Sequence, residues 1–189
     1  MKPKDILQRA LYILLFLVVN FFAYSQCGSE RLKVKTLKDP EADEINFTPE
    51  PSTVHQQRMF PKPIYHNNNP REPSEKQVYV VDCILIKFKK ESNDRDFHLI
   101  VKDLNSNEKL VVEVPNPACV NVAGNPHFSH LKDLRTLLTT KLGTFTSAYK
   151  FAPAGTKIRV TGVGFFDKKN HPTGFKGREL HPVLNLEFL

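Results

Sequence analysis

Residues 78–189 run through three strand-like segments, one amphipathic helix and two further strand-like segments, and that order limits what the chain can fold into more than any other feature. The strand assignments rest on period-two alternation and β-branched content. The first covers 78–89 and carries apolar side chains on both faces, as suits a long strand coiling through a barrel. The second, 96–103, sets Phe97, Leu99 and Val101 on one face and Asp96, His98 and Lys102 on the other. Turn residues 104–107 (LNSN) send the chain back as a third strand over 109–114, with Leu110, Val112 and Val114 inward. In the helix, Phe128, Leu131, Leu134, Leu138 and Leu142 recur every three or four residues, with Ser129 as N-cap and Gly143 as C-terminal stop. Strands over 157–167 and 180–188 complete the set. The last of these places Leu180, Leu184, Leu186 and Phe188 on one face and Glu179, His181, Asn185 and Glu187 on the other.

Five strands with a helix between the third and fourth predict a mainly β fold, a five-stranded barrel like that of oligonucleotide/oligosaccharide-binding (OB) domains. The alternative is a small α+β open sheet with one helix. Neither architecture carries a function with it.

Residues 1–25 read as a signal peptide. Lys2, Lys4 and Arg9 precede the apolar run LYILLFLVVNFFAY, and its roughly 14 residues fall short of the roughly 20 that a membrane span needs. Ala23 and Ser25 are small residues at the −3 and −1 positions of a cleavage before Gln26. Lipidation at Cys27 is disfavoured by Gln26 in front of it, and an uncleaved anchor is the other alternative. The expected destination is the periplasm or the extracellular space, where disulfides persist. Of the three cysteines, Cys83 lies in an apolar run and reads as a buried hydrophobe, whereas Cys27 and Cys119 lie in irregular segments and could bridge. No Cys/His cluster has zinc spacing.

Residues 26–77 hold half of the fourteen prolines and the polar run HNNNP at 66–70, so they read as an arm ahead of a domain at 78–189. Ser52 and Thr53 can cap a short helical turn over 54–59. Leu32, Val34, Leu37, Ile45 and Phe47 are apolar enough to dock along a sheet. The whole chain has a formal net charge of +7. Without residues 1–25 it keeps 24 basic against 19 acidic side chains, compatible with a polyanionic partner without specifying one.

The segments ERLKVKTLKDP (30–40), DFHLI (96–100), PNPAC (115–119), VTGVGFFD (160–167) and ELHPVL (179–184) together resemble a family of uncharacterised bacterial exported proteins. The resemblance spans nearly the whole chain after residue 25. It implies export and a single β-rich domain, and it transfers no catalytic residue.

In an OB barrel the ligand crosses the second and third strands, between the loop joining strands one and two and the loop joining strands four and five. These loops supply Lys89, Lys90 and Arg95 on one side and Lys168, Lys169, His171, Phe175, Lys176 and Arg178 on the other. Cations beside an aromatic suit nucleic acid or an anionic glycan. The leading expectation is therefore a binding module for an extended polar ligand or a protein partner, without a cofactor. The second is a secreted phosphodiesterase. Asp96 and His98 share one strand face, Glu179 and His181 another, and if the strands meet, the four can hold a divalent metal or supply a general base. The third is a structural or interaction protein of the envelope, with another envelope protein as partner. A Ser-His-Asp set, a phosphate loop and an HExxH motif are all absent from the sequence.

Overall fold

The computed structural model describes residues 27–64, 69–167 and 177–189; the expected signal peptide lies outside them. The segment read as an arm opens with α1 (Leu32–Lys35), β1 (Asn46–Ser52) and α2 (Val54–Met59). The barrel strands are β2 (Gln77–Lys90), β3 (Phe97–Lys102) and β4 (Lys109–Val114), then, after α3 (Leu131–Leu142) and the short β5 (Lys150–Phe151), β6 (Lys157–Phe166) and β7 (Arg178–Phe188). Each of the five expected strands falls within about two residues of its sequence assignment. Among the described residues, no helix is long and apolar enough to cross a membrane.

Pairing runs β2–β3–β4–β7–β6 and returns to β2, so the five strands close into a barrel with only β4–β7 parallel. That is the OB-like architecture expected, with α3 between the third and fourth barrel strands. Phe97, Leu99, Val112 and Val114 enter the core as their alternation requires, joined by Leu134 and Leu138 of α3. Two details of the pattern differ. Ser129 does not cap α3; His130 holds the N-cap position, and a 3₁₀ turn (Pro126–Phe128), capped by the Asn125 side chain, precedes it. In β7 the register slips twice against β6, on either side of Val183, so Val183 turns into the core and Leu184 is only partly buried. A bulge advances the chain by one residue without advancing the partner, which flips every following side chain.

The arm is part of the barrel. β1 pairs parallel to the N-terminal half of β2, and Val34, Leu37 and Ile45 are buried. Thr53 and Gln56 form a full capping box at the start of α2. The arm is fastened by buried charge. Arg31 pairs with Glu75 at 2.5 Å and donates to the Phe166 carbonyl, while Glu75 also accepts from the Phe166 N–H. Arg71 clasps Asp39 at 2.7 Å and donates to the Val34 carbonyl. A disulfide joins Cys27 to Cys119, beyond the end of β4, and Cys83 is buried and free, its thiol pushed up by that burial.

The 3₁₀ turn Pro73–Glu75 that carries Glu75 packs so closely on β6 that a Cβ at Gly164 would lie 2.1 Å from the Ser74 carbonyl. Gly164→Ala is expected to cost about 1–3 kcal/mol by overpacking, read as a lower urea midpoint at unchanged slope.

Candidate metal centre

Strand alternation puts His98 on the outer face of β3, and the antiparallel register sets Glu113 of β4 directly opposite it. On the far side of β4, the parallel pairing with β7 brings Glu179 and His181 to the same face. The two pairs that were only collinear in the sequence therefore meet, around a residue not singled out there. Glu113 takes one histidine on each carboxylate oxygen. His98 Nδ1 donates to Oε1 at 2.5 Å, and His181 Nδ1 lies 2.9 Å from Oε2.

The contacts continue outward. His181 Nε2 is 3.3 Å from Asp96 Oδ2. Neither contact of His181 lies along a straight N–H direction, so both are charge contacts more than full hydrogen bonds. His98 Nδ1 also lies 3.2 Å from Glu91 Oε1, and its Nε2 is 3.1 Å from the Tyr149 hydroxyl. Asp96 is held in place by the Asn116 N–H at 2.7 Å. His98, Glu113, Glu179 and His181 are all at most 5% exposed.

Beside them is a small cavity of about 90 Å³ lined by Glu30, Lys35, Glu91, Asn93, Asp94, Glu113 and Asp167. It adjoins a larger recess of about 420 Å³ that shares Glu30, Lys35, Asn93 and Asp94 and reaches Cys27. The inner cavity thus sets five carboxylates against one lysine, with room for a cation and about three waters.

The protonation equilibria follow from that imbalance. Burial pushes the Glu113 carboxyl up, but the hydrogen bonds from His181 and His98 outweigh it and hold the group well below the usual carboxylate value. Glu179 is pushed well above it by burial and by the charges of Glu113 and Asp167. Burial with the charge of Asp96 raises Asp94 to about 6. Burial raises Asp167 to about 6 against the opposing charge of Lys35. His181 rises to about 9 because Asp96 and Glu113 outweigh its burial. Lys35 keeps its proton because, against the effect of burial, four carboxylates surround it, Glu113 and Glu179 foremost.

Two overlapping donor sets have the spacing of metal ligands: Asp96, Glu113 and His181, and Glu91, His98 and Glu113, each with its ligand atoms within 4.8 Å of one another. Carboxylate oxygens with one imidazole suit Mn²⁺, Zn²⁺ or a similar first-row cation.

Of the loop residues expected to bind a ligand, Lys89, Lys90, Arg95 and Arg178 are among the described residues. Lys89 is half-buried and paired with Glu91 at 2.8 Å, Lys90 is half-buried, and Arg95 is exposed at a positive φ of 62°. Lys168, Lys169, His171, Phe175 and Lys176 lie outside the described residues. Arg178 is corrected outright. It is 1% exposed, donates twice to Gln57 Oε1 and lies against the rings of Phe60 and Phe166, so it belongs to the interior at one end of the barrel. Phe165 and Phe166, on opposite faces of β6, are both buried, with Arg31 over the first ring and Arg178 over the second. Glu113 was within reach of sequence reasoning, since it occupies the polar phase of the strand KLVVEV. Lys35 was not, because its partners lie 59 or more residues away.

No protein-family model matches the chain, and neither does any curated protein or solved structure compared with it.

Glu113→Gln removes the one charge that both histidines share. It is expected to cost about 3 kcal/mol, as breaking one side of a buried ion pair does, seen as a lowered thermal midpoint in metal-free buffer.

Proposed function

We propose that the protein is an exported hydrolase of phosphoesters that depends on a divalent cation bound at the Glu113 cluster. The observation that carries this reading is the convergence of Asp96, Glu113 and His181 beside a cavity with far more negative than positive charge. Carboxylates crowded in this way repel one another and shift toward their protonated forms, and a divalent cation relieves both costs at once. Asp96, Glu113 and His181 would hold the ion, which supplies Lewis acidity and lowers the pKa of a bound water. Such a water would serve as the nucleophile toward a phosphoester, and the proton it gives up would be available to the leaving oxygen. Lys35, at the wall shared by the two cavities, is placed to meet a phosphoryl oxygen as its charge grows. Export accords with the Cys27–Cys119 disulfide, which survives in oxidising compartments.

The polyanion-binding groove expected from the loops has less support at this face, because the outer surface of β3–β4–β7 is acidic. The binding-module reading keeps one specific support. His98 is hydrogen-bonded to Glu113, and His181 lies within ion-pair distance of the same carboxylate, in a site almost closed to water, which is how a purely structural network would look.

One experiment separates the two. For the hydrolase, Mn²⁺ or Zn²⁺ at about 100 times its Kd should stabilise the protein by about 2.7 kcal/mol, which is several degrees in Tm for a chain of this size. The gain should vanish in His181→Ala. Hydrolysis of bis(p-nitrophenyl) phosphate should be abolished by a chelator and fall ~100-fold or more in that variant. A melting curve indifferent to metals together with no turnover would sink the hydrolase and leave the structural network standing.

A further inference from the structure

The row of side chains that ends at Glu113 begins on a different surface. β5 pairs antiparallel with β2, Phe151 opposite Lys87 and Lys150 opposite Phe88, on the β2 edge away from β3. Directly paired residues point to the same side of a sheet. Phe151 and Lys87 therefore share one face, and Tyr149 and Lys89, one pair further along, share it too. The rings confirm the placement: Lys87 Nζ lies 4.1 Å and Lys89 Nζ 4.9 Å from the centre of the Tyr149 ring. Lys89 is in turn opposite His98, and His98 is opposite Glu113. One continuous outer row thus runs Tyr149, Lys89, His98, Glu113 across four neighbouring strands, a span of about 14 Å at the usual strand spacing.

The character of the row changes along its length. Its β4 end is acidic and closed. Its β5 end is open and basic: Phe151 is 80% exposed and Tyr149 38%, with Lys87 and Lys89 half-buried beside them, whereas Lys150 and Lys90 share the opposite face with Phe88. Of the two lysines on this face, Lys89 is paired with an acid, Glu91. An exposed phenylalanine among cations does nothing for the core. Stacking an unpaired base on an aromatic ring while lysines follow the phosphates is the way single-stranded nucleic acids are held.

We propose that the β5–β2 face is a docking track for a single-stranded polynucleotide, leading along the sheet toward the Glu113 centre. Phe151 is the stacking platform, and Lys87 and Lys89 meet the backbone. The span from Tyr149 to Glu113 fits within the 4–16 nucleotides that an OB barrel engages. A strand lying there approaches the acidic centre from its basic flank, so a cation at Glu113 would complete a path of positive charge. What becomes of the strand rests on the hydrolase reading; its binding rests on this face alone.

The test measures binding of fluorescent oligo(dT) of about 12 nucleotides to the full protein in the His181→Ala background, where cleavage does not interfere. Binding that weakens with salt is expected. Adding Phe151→Ala should weaken it about tenfold, Phe151→Trp should restore it, and Lys87→Ala should reduce the salt slope, with thermal midpoints unchanged by all three. Absence of binding, or binding indifferent to Phe151 and Lys87, overturns the proposal. So does equal displacement by a sulfated glycan of matched charge, which would make the face a general polyanion surface. Binding that follows this pattern in a protein without phosphodiesterase activity upholds the track while the hydrolase reading fails.

Discussion

Glu113 is a carboxylate with almost no access to water, and the arrangement around it follows from that position. An ionised carboxyl cannot stay in such a place without compensation. His98 and His181 provide it from the two strands that flank β4, one on each oxygen. They reach it only because the β3–β4 register and the parallel β4–β7 pairing put three side chains on one outer face. In a barrel the outer face is ordinarily wet. Here the N-terminal segment lies over it, bringing Lys35 and Arg31 close above Phe165, and the disulfide and the Arg31–Glu75 pair fasten that segment down.

The cover also explains why so much charge is buried. Arg31, Glu75, Arg71 and Asp39 hold the segment in place, whereas Glu30, Glu91, Asp94, Glu113 and Asp167 line the cavity beside the cluster. The first group closes on itself in well-aligned pairs. The second carries an excess of negative charge that Lys35 alone does not offset. Structural ion pairs tend toward neutrality, since each unpaired buried charge costs several kcal/mol. The proposed cation would offset that excess, and the proposed docking face lies at the other end of the same sheet row.

The core strands were legible because their signals are local. The runs at 109–114 and 157–166 alternate cleanly, and the capping chemistry at Thr53 and the glycine at 143 mark helix ends within a few residues. Where the reading went astray, a distant partner decided the outcome. The apolar phase of β7 shifts because its bulges are set against β6. Arg178 looked like a surface residue and is buried against Gln57 of the arm, more than a hundred positions earlier. The arm showed apolar residues able to dock along a sheet but no alternation that marked a strand, because NFTPEPS carries two prolines and joins β2 through backbone pairing with few side-chain contacts, Asn46 to Gln77 and Phe47 to the core.

The amino-acid sequence by itself determined the five strands, the helix between them and the collinearity of Asp96 with His98 and of Glu179 with His181, since all of these depend on the periodicity of a single segment. Only the tertiary structure decided that the two pairs converge on Glu113, that Lys35 enters the same cavity, and that Arg178 is buried while Phe151 stands exposed. Register between strands and the docking of a distant segment bring together residues far apart along the chain, and neither leaves a periodic trace in either partner.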